Sequence, residues 1–318
     1  MFNTEINHFL QQFDNIAFQY FMEFISALGT VPFILTVVFG ITFALNFKRG
    51  VVLVNIIAWT AILTIAIKHQ VDFPRPMDVD SSLRTQDQTN SNINLKALQP
   101  SSFFSIFSEE LLNETRNDEL KTYGFPSGHT SIQVGLWLGM FLLFRKRWIF
   151  SLGVTVVLLT MLSRLYLAHH FLADVLGGLT LGLLIVGLIA LLINKTNYLK
   201  HLSPHFKNLS LLWLPAFAIP FVSFVPIDIL GSLIGLNLAA TFIILQGNTL
   251  IFHATLWKRI TTAVLIILLV YLSYYLNNLM NYSNNLFVKL FVISFSNFAI
   301  IRGSVYFANR FRFLKYKI

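Results

Sequence analysis

Cysteine is absent from this 318-residue chain, which excludes disulfides, thiolate nucleophiles and cysteine metal sites. Charge is also scarce: 12% of residues are Asp, Glu, Lys or Arg, against 55% hydrophobic. A water-soluble domain of this length needs far more charge to cover its surface, so the membrane class is favoured before any motif is read. Acidic residues are the rarer sign, 14 against 23 basic, giving a formal net charge of +9. The basic residues sit in short loops between apolar runs rather than on one polar face, which fits a membrane protein and argues against a nucleic-acid partner. The chain begins Met-Phe-Asn-Thr-Glu-Ile with no basic stretch ahead of its first apolar run, so no cleavable signal peptide is read.

What is present is a series of apolar runs near the ~20 residues needed to cross hydrocarbon. They fall at about 23–46, 51–69, 127–144, 148–166, 173–193, 209–227, 229–250, 258–277 and 285–308. The expected fold is therefore all-α, a polytopic transmembrane helical bundle of about nine spans. Residues 1–22 mix Phe, Ile and Leu with Gln, Asn and Asp at helical spacing and are expected to form a helix lying on the membrane interface. The three predicted regions are that helix, a catalytic core over 23–193, and a four-helix extension over 194–318.

Loop charges give the orientation. Lys48, Arg49, Arg145, Lys146, Arg147, Lys195, Lys200, Lys207, Lys258, Arg259 and the tail residues Arg310, Arg312, Lys315 and Lys317 all fall on one side of a nine-span chain. The opposite short loops carry neither Lys nor Arg. The positive-inside rule then predicts a plasma (inner) membrane protein with a cytoplasmic C-terminus and an N-terminus outside. The long loop, 70–126, is expected on the outer face. Its Asp78–Gln99 stretch is rich in Ser, Thr, Gln and Asn, and Phe103, Phe104, Phe107, Leu111 and Leu112 then recur at helical spacing before Glu114, Asp118 and Glu119. This 101–120 segment reads as a short amphipathic helix on the bilayer or as a lid over a lipid entrance.

Three clusters place polar groups where an apolar run should simply end. Lys68 to Pro76 contains Lys68, Arg75 and Pro76; Pro126-Ser127-Gly128-His129 opens the third run; Ser163, Arg164, His170 and Asp174 cross the turn between the next two. In the nine-span arrangement all three meet at the outer face, although none of these residues was used to derive it. Three cations at a membrane boundary are costly unless functional. Arg offers a planar fork matched to phosphate oxygens and Lys a point charge. Ser127 and Gly128 stand at a helix start, where free N–H groups and the helix dipole favour an anion. Together they describe a phosphate cradle. His170 and Asp174 are four apart, so a carboxylate can hold one ring nitrogen and leave the other to attack. The neighbouring His169 has Ala173 at the same offset, which orients nothing.

Lys-x6-Arg-Pro, Pro-Ser-Gly-His and Ser-Arg-x5-His-x3-Asp resemble the three signature motifs of the type 2 phosphatidic acid phosphatase (PAP2) family, which shares its site with vanadium haloperoxidases and glucose-6-phosphatase. The resemblance covers about 20–193. It implies a lipid phosphate or lipid pyrophosphate phosphatase acting without metal or cofactor on a substrate in the outer leaflet. His170 is then the nucleophile, Asp174 its orienting partner and His129 the acid that protonates the leaving oxygen. Lys68, Arg75, Ser127, Gly128 and Arg164 bind the phosphoryl oxygens. Transfer of the phosphate to a second lipid, or a transporter or scaffold with a vestigial site, are the alternatives.

Other residues have plainer readings. His69, His169, His201, His205 and His253 read as packed or interfacial, and Gly135/Gly139 and Gly178/Gly182 as close helix packing. Asp228, Asn237, Thr241, Ser294, Ser296 and Asn297 in the last four runs suggest no chemistry, only packing, a homo-oligomer contact or the wall of a lipid groove. Asn281 is an acceptor sequon of the kind an Asn-rich chain yields by chance.

Overall fold

The computed structural model describes residues 1–85, 100, 102, 104–117, 123–196, 210–221, 223, 225–245, 250–251, 255–280, 285–311 and 315–316. Within these the protein is all-helical, apart from a two-residue antiparallel pairing of β1 (Leu250–Ile251) with β2 (Lys315–Tyr316). The helices are α1 (Glu5–Gln11), α2 (Ile16–Ala27), α3 (Val31–Gly40, continued as a π-helical turn Ile41–Leu45), α4 (Phe47–Val71), α5 (Pro76–Val79), α6 (Glu109–Asn117) and α7 (Gly128–Phe144). They continue with α8 (Arg147–Tyr166), α9 (Leu172–Thr196), α10 (Ser210–Trp213, followed by a 3₁₀ segment Leu214–Phe221), α11 (Ile227–Leu245), α12 (Leu256–Leu279) and α13 (Leu286–Arg310).

Among the described residues six helices are long and apolar enough to cross a membrane, or seven if the bent pair α2–α3 is one span. The expected count of nine is not confirmed among these residues, and three of the expected runs depart from a single long helix for local reasons. The run at 23–46 bends by 53° between Ala27 and Val31, where Gly29 interrupts and Pro32 fits only because a first helical turn needs no amide donor there. The run at 127–144 yields a 17-residue helix, about 26 Å at 1.5 Å per residue, at the short end of what crosses a hydrocarbon core. The run at 209–227 is broken by Pro215, Pro220 and Pro226, each lacking an amide donor, and gives one α-turn and a 3₁₀ segment. The spans that do form show Leu183, Leu184, Leu188, Leu268, Leu272 and Phe291 to the outside, as lipid contact requires. The chain is a membrane protein.

The expected amphipathic segment at 101–120 narrows to α6. Its Leu111 is fully buried and packs with Phe107, Val79 and Phe171, whereas Phe104 is 80% exposed. Phe103, Asp118, Glu119 and most of Asp78–Gln99 lie outside the described residues, as do Lys200, His201, His205, Lys207, His253, Asn281, Arg312 and Lys317.

The chain divides into two compact units. The first comprises Met1–Thr30 and Leu63–Val186, and the second Val31–Ile62 and Gly187–Ile318. In the first, α8 packs against α1, α2 and α7, with Met22, Tyr166 and Leu167 at its core. Glycines bring α9 against α7: a Cβ on Gly178 would lie 2.4 Å from the Ser127 carbonyl, and one on Gly182 would lie 2.7 Å from the Val134 Cβ. In the second unit α11 lies along α13, where a Cβ on Gly235 would meet the Ser294 carbonyl at 2.4 Å. A separate cluster there gathers Ala58, Ile62, Ala218, Leu230, Leu233 and Leu290.

Candidate active site

All of the site residues singled out above lie in the first unit. Lys68 stands in the last turn of α4, which ends where Asp72 adopts a left-handed φ of 46°. Pro74 then forbids helix, and the Arg75 amide is pinned by Asp78 Oδ2 at 2.8 Å, so Arg75 leads into α5 with its backbone fixed. The Lys68 ammonium donates to the carbonyls of Tyr123 and Gly124, both at 2.7 Å. The Gly124 amide in turn donates to the Phe73 carbonyl at 2.7 Å. Gly124 is required here: a Cβ would lie 2.7 Å from the Pro74 carbonyl and 2.9 Å from Asp174 Oδ2.

The second cluster is tied to the third through backbone. The Ser127 amide donates to the Asp174 carbonyl at 2.8 Å, and the Ser127 hydroxyl, fully buried, accepts from Thr130 at 3.1 Å. Gly128 opens α7 with clear space beside it: a Cβ would find Thr64 Cγ2 at 3.8 Å as its sole neighbour within 4 Å among the described residues. The His129 ring lies against Gly29, where a Cβ would come within 2.5 Å of His129 Cδ2.

Arg164 stands in the last turn of α8 and donates from Nη1 to the Ser26 hydroxyl at 2.7 Å. Ala168, at φ 54°, turns the chain back so that the amides of His169 and His170 both reach the Arg164 carbonyl, at 3.1 and 3.3 Å. This turn delivers His170, 2% exposed, to Asp174, fully buried, with Nδ1 3.2 Å from Oδ2. The same oxygen accepts the Phe171 amide at 2.9 Å, the reciprocal cap expected of an acidic residue in the first turn of a helix. Asp174 Oδ1 is buried and makes no hydrogen bond among the described residues.

Electrostatics show which groups share one space. Lys68 acts on Arg75, Asp174 and Arg164, and His170 feels Lys68, Arg164, Arg75 and His129. Burial first, then those cations, hold the His170 imidazole well below its ordinary pKa. Burial, with Arg164 and Arg75, likewise lowers His169 to about 3. The charged imidazole is thereby disfavoured, and Nδ1 is the ring nitrogen that faces Asp174. Buried Arg164 and partly buried Lys68 and Arg75 are like charges acting on the same imidazole, and an anion among them would relieve their mutual repulsion.

The PAP2 superfamily pattern matches residues 49–198, which contain all three clusters. The match takes in a little under half of the chain and is a similarity of this region to that superfamily. A 63-residue stretch of the chain is 36% identical to Lipid A 4'-phosphatase of Porphyromonas gingivalis, covering 20% of this chain and 27% of that protein. The chain therefore aligns with about a quarter of that relative's length. No solved structure matches the chain at a comparable level of significance.

Several contributors to the PAP2 region's geometry escaped the sequence reading. Tyr123 and Gly124 offer carbonyls to Lys68, Ser26 meets Arg164, Gly29 meets His129, and Asn7 reaches the backbone at His170. Gly124 stands two residues before Pro126 and carried a local signal. Ser26, Gly29 and Asn7 carried none, because each acts on a group 100 or more positions away.

Proposed function

We propose that this protein is a membrane phosphatase that removes phosphate from a lipid phosphate or lipid pyrophosphate through a phosphohistidine on His170. The observation that carries this reading is the buried His170–Asp174 pair at 3.2 Å, set among the cations of Lys68, Arg75 and Arg164. The match to the PAP2 superfamily pattern and the short similarity to a lipid phosphatase support the reaction class and the lipid.

In the first step His170 Nε2 attacks phosphorus, a P–N bond forms and the P–O bond to the lipid breaks. His129 gives a proton to the departing oxygen. In the second step water attacks phosphorus with His129 as base, the P–N bond breaks and inorganic phosphate leaves. Lys68, Arg75, Arg164, Ser127 and the Gly128 amide hold the non-bridging oxygens as charge shifts onto them. Asp174 keeps the imidazole in the tautomer that attacks. No step calls for a metal, so turnover persists in EDTA.

The loop charges support an extracytoplasmic site and a cytoplasmic C-terminus, with the core at 23–193 facing the outer leaflet and 194–318 as an extension. On residues 1–22 the exposed Phe9, Phe13, Ile16 and Tyr20 support contact with the interface. The test is phosphate release from a panel of lipid phosphates, phosphatidic acid, an isoprenyl pyrophosphate and lipid A among them, by purified protein and its His170→Ala variant. Release by the wild type that vanishes in a folded His170→Ala supports the reading. Undiminished release by the variant overturns the nucleophile assignment.

A further inference from the structure

The first eleven residues lie outside the PAP2 match, yet they hold the turn that carries His170. Asn7 is fully buried on α1, and its side-chain amide donates to two backbone carbonyls, Leu165 at 2.8 Å and His170 at 3.1 Å. These two acceptors bracket the turn in which Ala168 takes its left-handed conformation. One amide group thus closes the turn from outside, at the peptide that leads out of His170. Without Asn7 the His170 carbonyl would lose its side-chain donor, whereas the Leu165 carbonyl would keep the Ala168 amide at 3.1 Å.

The rest of the segment keeps Asn7 in place. Phe2 packs its ring against Phe73, Phe125 and Phe171, with centroids 5.3, 6.2 and 6.1 Å away. Those three rings stand immediately beside the three clusters: Phe73 before Pro74 and Arg75, Phe125 before Pro126 and Ser127, Phe171 after His170. The Met1 carbonyl accepts from the Ala173 amide at 3.4 Å. On the other side, Thr4 donates to the buried Asp80 carboxylate at 3.0 Å, and His8 Nε2 lies 2.8 Å from the same oxygen. Burial pushes the Asp80 carboxyl up, but bonds from Ser82, His8 and Thr4 outweigh it and hold it ionised.

We infer that residues 1–11 are a strap built into the active site, and that Asn7 is a positioning residue that fixes the backbone of His170. Asn7 touches neither substrate nor the reacting atoms. It sets the angle at which the imidazole meets phosphorus, an alignment to which in-line displacement is sensitive. This rests on the phosphohistidine reading above.

The experiment uses the full chain in detergent and compares Asn7→Ala, Asn7→Asp, Glu5→Gln and His170→Ala. Asn7→Ala should lower kcat ten- to hundredfold while KM and the inhibition constant of inorganic phosphate change less than about twofold, because the cations that bind the anion are untouched. Asn7→Asp preserves the outline but donates only when its carboxyl is protonated, so its activity relative to wild type should climb as pH falls. Glu5→Gln, on the same helix, should behave as wild type. If His170→Ala is inactive while Asn7→Ala and Asn7→Asp turn over within twofold of wild type, the inference is wrong although the site stands. If kcat falls only in step with weaker phosphate binding and a lower melting temperature, and Asn7→Asp shows no acid recovery, Asn7 is merely structural and the inference is again overturned. A wild type without phosphatase activity removes the site assignment itself, and the inference with it.

Discussion

The two units solve the problem of buried polar groups in different ways. Among the described residues, the charged and titratable side chains that are buried, Asp80, Arg164, His170 and Asp174, all belong to the first unit. The second buries only neutral polar groups, and most are satisfied at home. Asn55 and Asn237 exchange side-chain bonds at 2.9 Å in each direction. Thr42, Thr60, Thr262 and Ser294 return their hydroxyl protons to carbonyls one turn back on their own helices. Its charge pair, Lys289 with Asp228, is substantially exposed. Neutral amides and hydroxyls that close on themselves rigidify a membrane bundle at small cost. Buried charges are more expensive to hold than neutral groups, and their concentration in one unit is what the proposed function draws on.

The contrast is sharpest at His170. Replacing it by Ala should reduce phosphate release by at least about 10⁴-fold, as removal of a nucleophile does, with the fold retained. A residual rate within tenfold of wild type would place the chemistry elsewhere. Next is Gly29→Ala: its Cβ would come within 2.5 Å of the His129 ring, so the ring must move and turnover should fall about 10- to 100-fold. Gly303→Ala in the second unit, where no atom lies within 4 Å of the added carbon, should leave turnover unchanged. Equal effects of the two substitutions would erase the functional difference between the units.

The pH response carries a definite sign. His170 and His169 are held below their ordinary range of 6.5 in the folded chain, so they stay neutral as pH falls through that value. Activity should persist at pH 5.5 rather than drop tenfold per unit below 6.5. Stability moves the other way. The unfolded chain takes up these protons near 6.5 and the folded chain refuses them, so the melting temperature should decline from pH 6.5 down toward about 3, where His169 titrates. A melting temperature flat across that window would contradict buried neutral imidazoles. The smallest effect is reserved for the second unit. A double-mutant cycle between Asn55→Ala and Asn237→Ala should show a coupling of roughly 0.6–1.7 kcal/mol in unfolding, with kcat within twofold.

The clusters at 68–76, 126–129 and 163–174 were legible because each puts charge or imidazole at the end of an apolar run, where chance rarely leaves it. The helical class was legible for a similar reason, since long apolar runs admit few other structures in lipid. The span count was not. Hydropathy averages over Pro215 and Pro220 as though they were ordinary apolar residues, but the backbone cannot, and the 209–221 region turns into short 3₁₀ structure. Nor does hydropathy mark the 53° bend at Leu28–Thr30. The supporting residues were the least legible. Ser26 and Asn7 look like any polar residue in an amphipathic stretch, and their meaning lies wholly in partners on α8 and the following turn.

One small detail has a large directional effect. An ammonium group has three protons, and at Lys68 two are committed to the carbonyls of Tyr123 and Gly124. Tetrahedral geometry then leaves the remaining N–H a single heading. A side chain that ordinarily swivels on four methylenes becomes an aimed pointer, and in the proposed reaction an arriving oxyanion would meet it without either existing bond having to break. Departure of the product would leave that pointer where it was, ready for the next encounter.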